Sequence, residues 1–267
     1  SSDLLAGNDL EIVARERTWT PRDGYDAIVE RVARFADEVA TKAGFRHQDF
    51  SVGVGMPGSI TSAGLVKNSN TTCLNGRPFR SDLVSAMNRP IAFDNDANLF
   101  ALAETRMGAA KAHAKGVVFG AILGTGVGGG IVARGEVWPG AMGVAGEWGH
   151  HAVWAGSPDA RPCYCGQRGC VEAHLAGPAL VQQYHERKDD DGDTVVVQDI
   201  VGARGFDPVA DQVVEAMLAT FARGLANVID ILDPTAIVLG GGLSNIPCFY
   251  GEGRDRVAAL ADRKSVV

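Results

Sequence analysis

The sequence predicts an α/β protein, with mixed sheets covered by helices. Three observations carry this expectation. Each half of the chain runs strand, helix, strand, glycine turn. Val117–Leu123 is a continuous apolar run that enters Gly124–Gly130, and Ile131–Ala133 returns as its hairpin partner. Pro208–Leu232 has apolar residues at helical spacing, and Asp233-Pro234 then leads through Ala236–Leu239 into Gly240-Gly241-Gly242.

Taken in order, residues 10–18 read as a roughly alternating strand. Thr20-Pro21-Arg22-Asp23 carries helix-start chemistry: a capping hydroxyl, a proline and an early acid. Tyr25, Ile28, Val29, Val32, Phe35, Ala36 and Val39 then recur at helical spacing, with Gly44 as the stop. Phe50–Val54 is a short strand followed by the turn Gly55-Met56-Pro57-Gly58. Phe79–Met87 is a helix, Ile91–Phe93 a buried strand, and Asp94–Asn98 opens a helix to about Met107. Residues 135–170 have weak periodicity and many Gly, Pro, Trp and Cys residues, the mark of a functional excursion. Pro178–Arg187 is helical and Lys188–Asp193 a charged loop.

The 267 residues hold 32 acidic and 25 basic side chains, a net charge of −7, with 46% hydrophobic and 21% charged residues. That is the make-up of a folded globular chain and excludes disorder as the main state. No apolar run approaches the roughly 18 residues that span a bilayer. Ser1–Leu10 lacks the pattern of a signal peptide, so the expected location is the cytoplasm. The acidic balance argues against broad nucleic-acid binding.

Glycine is abundant, with 34 residues, and clustered. Three of the five cysteines fall between Cys163 and Cys170. Cys163-Tyr164-Cys165-Gly166-Gln167-Arg168-Gly169-Cys170 gives C-x-C-x₄-C, with His150 just upstream. Three thiolates and an imidazole make a tetrahedral Zn²⁺ shell, closed and therefore structural. Ordinary thiols or a disulfide are the alternative, which the clustering and the missing export signal disfavour. Cys73 and Cys248 are isolated core or loop cysteines, and His151 is a spectator. Glu147 and Glu172 flank the metal residues and either face one cleft with His150 or are solvated; spacing alone favours solvation.

Asp94-Asn95-Asp96-Ala97-Asn98 follows a strand and starts a helix. Capping explains one acid there. The surplus of short hydrogen-bonding side chains also suits a grip on a polar ligand, and a carboxylate so placed can take a proton from a hydroxyl. The two glycine turns suit phosphate, although hairpins also use glycine. Neither is a P-loop or a dinucleotide fingerprint.

With these residues in view, the sequence resembles the ROK family (repressors, open reading frames and sugar kinases) of the actin-like ATPase superfamily, from about Leu10 to Tyr250. The carriers are Gly55-Met56-Pro57-Gly58-Ser59, the run from Asn68 to Gly76, Asn95-Asp96-Ala97-Asn98, Gly124–Gly128, Gly146-Glu147-Trp148-Gly149-His150, the cysteine run ending at Glu172, and Leu239–Asn245. The Asn68–Gly76 run and the Glu-Trp-Gly-His segment look most like bacterial fructokinases, with N-acetylglucosamine kinases close behind. The resemblance implies a two-lobed, ribonuclease H-like fold, with an N-terminal lobe at 1–115 and a C-terminal lobe at 116–267. It implies an ATP-dependent kinase acting on the 6-hydroxyl of fructose or a related hexose. Asp96 would be the catalytic base. Gly58, Asn70, Asn95, Asp96, Glu147, His150 and Glu172 would bind the sugar. Thr125, Gly126, Gly241 and Gly242 would bind ATP, with Mg²⁺ accompanying it. His150, Cys163, Cys165 and Cys170 would hold zinc, and His150 would turn its other ring nitrogen to the sugar. A homodimer is compatible with the family.

The family's opening D-x-G-G-T is not found in this sequence, so the first strand is expected to be missing. Ser1–Ala6 matches nothing in the pattern, and Gly251–Val267 is short and charged where the family continues. A gene fragment is the favoured expectation, ahead of a degenerate homologue or an incomplete chain. The alternatives to fructokinase are an N-acetylglucosamine kinase or glucokinase, a non-catalytic sugar-binding remnant, and a fragment of a ROK repressor.

Overall fold

The computed structural model describes residues 2–6, 11–189 and 195–261. The chain forms two compact units, Ser1–Asp96 and Ala97–Val267.

In the first unit, β1 (Ser2–Ala6) pairs antiparallel with β2 (Ile12–Arg17). A strand at Ser2–Ala6 corrects the sequence reading, which assigns nothing to that segment. Helix α1 (Tyr25–Lys42) buries Tyr25, Ile28, Phe35 and Val39, the stripe its spacing predicts. It starts later than Thr20-Pro21 suggests, because Gly24 at φ 106 breaks the backbone just before Tyr25. It stops as expected: Phe45 N–H reaches Ala40 O at 2.9 Å across left-handed Gly44, a Schellman end.

Strand β3 (Val52–Met56) lies two residues beyond the expected start and end. A small ribbon of β4 (Ser59–Ile60) and β5 (Val66–Lys67) follows, then α2 (Phe79–Met87). Strand β6 (Ile91–Asn95) pairs parallel with β3, Val52 opposite Ile91 and Met56 opposite Asn95. Ile28, Met56, Phe79, Leu83 and Ile91 form the core of this unit. Helix α3 (Asp96–Arg106) begins on the unit's last residue, where an acid suits the helix dipole.

The second unit is built on a four-stranded mixed sheet. Strands β7 (Val117–Leu123), β8 (Val127–Ala133) and β9 (Glu136–Val137) run antiparallel in turn. Helices α4 (Val171–Leu175), α5 (Gly177–Lys188), α6 (Val197–Gly202) and α7 (Pro208–Leu232) follow. Strand β10 (Ala236–Gly240) pairs parallel with β7 on its other edge, and α8 (Glu252–Ala261) closes the described chain. Asp207 caps α7 by accepting from Val209 N–H at 2.9 Å, with Pro208 in the first turn. Met217, Leu218 and Phe221 of α7 pack in the main core with Phe119, Leu123, Trp148 and Leu175. Among the described residues no helix is long and apolar enough to cross a membrane.

Two expectations change here. The glycine run is not all loop: only Gly124-Thr125-Gly126 turns, and Gly128, Gly129 and Gly130 lie within β8. They permit close packing. A Cβ on Gly130 would sit 2.5 Å from Ala97 O, one on Gly120 2.7 Å from Ala101 Cβ, and one on Gly240 inside the Phe100 ring. Helix α3 therefore rests directly on the backbones of β8, β7 and β10. This packing draws Ala97 onward into the second compact unit. The charged segment after Tyr250 is also ordered as α8 as far as Ala261. Arg256 pairs with Glu215 of α7 at 2.6 Å, and Arg204 with Glu252 at 2.6 Å. Most of the expected 188–193 loop lies outside the described residues.

Candidate active site and metal centre

In the first unit, Gly58, Asn70, Asn95 and Asp96 come from the ends of neighbouring segments. Gly58 has φ 86, and a Cβ there would lie 2.5 Å from Lys67 O and 2.8 Å from Ser69 N. Only glycine lets the two loops approach this closely. Asn95 at the end of β6 donates from Nδ2 to Gly58 O at 2.9 Å, joining these two predicted residues directly. Asp94 Oδ1 accepts from Asn95 N–H at 2.7 Å. Asp96 follows, exposed at the first residue of α3.

Asn70 is exposed on a loop whose backbone is clasped from behind. Asn75 accepts from Ser69 N–H and donates to Ser69 O, both at 2.9 Å, and Ser69 Oγ accepts from Thr71 N–H at 3.2 Å. Sequence reasoning gave Ser69 and Asn75 no task. The signal available was their place in the Asn68–Gly76 run.

In the second unit, the two glycine turns lie side by side. Strands β7 and β10 are in parallel register, Ile122 opposite Gly240, so both turns leave the same sheet end. A Cβ on Gly124 would lie 3.7 Å from Gly242 N, and one on Gly241 would strike Leu123 O. Gly241 is left-handed at φ 85. Thr125, Gly126, Gly241 and Gly242 are all exposed, so their backbone is open to a ligand. Gly177 N–H donates to Gly124 O at 2.8 Å and braces the first turn from α5.

The segment carrying Glu147 and His150 is anchored by Trp148. Its indole is 1% exposed, donates to Gly128 O at 2.7 Å, and meets Phe119 edge-on at 6.1 Å. Gly146 and Gly149 press on the backbone of β8, and Gly224 of α7 makes room for the indole. The short helical turn Trp148–His150 therefore presents His150 from a fixed seat, with Glu147 exposed beside it.

His150, Cys163, Cys165 and Cys170 converge. Their ligand atoms all lie within 4.8 Å of one another. His150 Nδ1 is 3.7 Å from Cys163 Sγ, and Cys165 Sγ is 3.6 Å from Cys170 Sγ. A tetrahedral zinc ion with bonds of about 2.0–2.3 Å places its ligands about 3.4–3.8 Å apart, so donor type and spacing both fit. The knuckle is built by Gly166 at φ 89 and Gly169 at φ 82, by Cys163 N–H to Gln167 O at 2.8 Å, and by the Pro162–Arg168 bridge. Burial pushes the Cys170 thiol up to about 12 and the Cys163 thiol upward as well. A bound cation would displace those protons. His151 is not in the cluster. Cys73 is exposed and Cys248 half-buried, both on short helical turns.

Glu172, two residues past Cys170, is half-buried rather than solvated. Its Oε2 accepts from Val127 N–H at 2.7 Å. Thr125, Cys163, Tyr164 and Glu172 share the wall of one groove of about 750 Å³. Behind the knuckle, buried His174 accepts from Arg161 N–H at 3.2 Å and lies against Trp154. Burial and then the Arg161 charge lower its pKa to about 4.

The model of the ROK family matches residues 3–265. The N-acetyl-D-glucosamine kinase of Shigella flexneri serotype 5b is 35% identical over 253 residues, covering 91% of this chain and 80% of that protein. The ROK hexokinase of Thermus thermophilus superposes with a TM-score of 0.77 at 30% identity, over 95% of this chain and 81% of its own. The ROK glucokinase of Streptomyces griseus, solved with glucose and AMPPNP, gives 0.73 at 28%, over 98% and 83%. The chain belongs to the ROK family and has its actin-like ATPase fold.

Proposed function

We propose that this chain is an ATP-dependent sugar kinase that acts on N-acetylglucosamine or glucose. The carrying observation is one fold holding an exposed carboxylate at a helix start, paired glycine turns, and a His-Cys₃ cluster flanked by two glutamates. The similarity to an N-acetylglucosamine kinase, a hexokinase and a glucokinase supports these sugars ahead of fructose, the first choice from the sequence alone.

Asp96 takes the proton of the attacking 6-hydroxyl. Asn95, held by Gly58, and Asn70 on its clasped loop bind sugar hydroxyls. Glu147, His150 and Glu172 bind others. Thr125 and Gly126 meet the phosphates, and Gly241 and Gly242 the adenosine side, with Mg²⁺ carried in on ATP. Zinc, when bound, is structural: it fixes the tautomer and plane of the His150 ring. Phosphoryl transfer depends mainly on such alignment, and the base adds its own factor.

The test is Asp96→Asn. Turnover is expected to fall about 10²–10⁴-fold, while sugar binding, zinc content and melting temperature hold. Wild-type turnover in this variant removes Asp96 from the mechanism. ADP release is measured with N-acetylglucosamine, glucose, N-acetylmannosamine and fructose. Saturable sugar binding without any ADP release would support the sugar-binding reading instead.

A further inference from the structure

Tyr164 lines the groove but is neither a metal-cluster residue nor one of the predicted sugar or ATP contacts. It lies between Cys163 and Cys165, so the knuckle pins its backbone, yet its side chain is 80% exposed. Its hydroxyl lies 3.2 Å from His150 Nε2, and the two rings meet edge-on at 5.3 Å. This is the ring nitrogen left over once Nδ1 faces the sulfur cluster. A metal on Nδ1 fixes the proton on Nε2, so Nε2–H donates and the phenol oxygen accepts. Glu172 lines the same groove as Tyr164. With the metal on Nδ1, the tyrosine hydroxyl takes the bond that His150 Nε2–H would otherwise donate to a sugar hydroxyl.

We propose that Tyr164 is an internal stopper: its hydroxyl occupies the sugar-hydroxyl position at His150, in the groove that Glu172 also lines, and it must swing out before sugar binds. This rests on the kinase reading of those two residues. Little packing holds the exposed ring, so release costs mainly the hydrogen bonds at its tip. Sugar affinity is then the intrinsic affinity reduced by the fraction of molecules with the stopper open. Tyr164 is a gating residue, and its removal strengthens binding, opposite to the loss of a sugar contact.

The experiment compares the wild-type chain, Tyr164→Phe and Tyr164→Ala by calorimetric titration with N-acetylglucosamine and glucose, alongside zinc per chain and melting temperature. A net hydrogen bond corresponds to roughly a two- to tenfold change in affinity. Tyr164→Phe is expected to lower the sugar Kd by that factor, and Tyr164→Ala by at least as much, with zinc and melting temperature unchanged. Where turnover is measured, the gain falls on KM rather than kcat. Equal or weaker sugar binding by Tyr164→Phe overturns the stopper and leaves the kinase reading intact. Loss of zinc in Tyr164→Phe also overturns it, because the tyrosine would then be bracing the knuckle. If no form binds any sugar, the kinase reading fails and the stopper with it.

Discussion

Gly130→Ala tests whether the sheet sets the position of the proposed base. The added Cβ would lie 2.5 Å from Ala97 O, 2.8 Å from Asn98 Cα and 2.9 Å from Ala97 C. Ordinary contact begins at 3.4 Å, so about 1 Å must be found. Every opposing atom is backbone of α3, and no side chain can rotate away. Overpacking of this kind costs about 1–3 kcal/mol, which lowers the melting temperature by roughly 2–12 °C in a chain of this size. The helix must lift, and Asp96, its first residue, lifts with it. A displacement near 1 Å at a reacting group costs on the order of 10²-fold in rate. The control is two residues away on the same strand: a Cβ on Gly128 meets only Ala97 Cβ at 3.9 Å. The assay is kcat for sugar-dependent ADP release together with thermal melting. Gly130→Ala should lose about 10²-fold in kcat and melt early, and Gly128→Ala should stay near wild type. Wild-type rate and melting in Gly130→Ala would refute the seating of α3, and equal damage in both variants would refute the close-approach argument.

Two other outcomes test the metal loop. Cys170→Ser should lose zinc at least tenfold in affinity, read by metal analysis after dialysis; serine caps a helix well, so α4 itself has no reason to unravel. Stoichiometric zinc in that variant would remove Cys170 from the shell. His174 is held neutral in the fold, with its pKa lowered from 6.5 to about 4. The unfolded chain therefore binds the extra proton first. The stability this contributes is complete above about pH 6.5 and is lost as pH falls toward 4, on the order of 2–3 kcal/mol. Urea midpoints for wild type and His174→Gln across that range should show a shallower slope in the variant, and parallel slopes would contradict the assignment.

What could be read from the sequence follows from how local each cause is. Strand β7 and helices α2 and α7 have the expected limits because their apolar periods end at abrupt breakers, Gly124 and Asp233-Pro234 among them. The metal cluster was legible because C-x-C-x₄-C leaves the sulfurs few places to go. The start of α1 was not, since a good cap at Thr20 is overruled by the backbone of Gly24. Glycines 128 to 130 read as a phosphate loop, and only the arrival of α3 shows that they clear space inside a strand. Helix α8 has only a short apolar stripe, Val257 and Leu260, which packs on the main core, and its ion pairs reach residues far away in the chain. Glu172 looked solvated because its partner, Val127 N–H, lies 45 positions upstream. Asn75 stayed hidden for a related reason: it holds backbone, which leaves no side-chain pattern to find.

The bond from Glu172 to Val127 has a wider consequence. Cys170, Glu172 and the residue directly after Gly126 form one short mechanical linkage, from the His-Cys₃ cluster through a carboxylate to the proposed nucleotide turn. Stripping the ion would slacken both ends of that linkage at once. On the proposed roles, a chelated preparation would then resemble a double lesion, weakening the glycine turn assigned to the nucleotide together with the residues assigned to the sugar, although neither set had been altered.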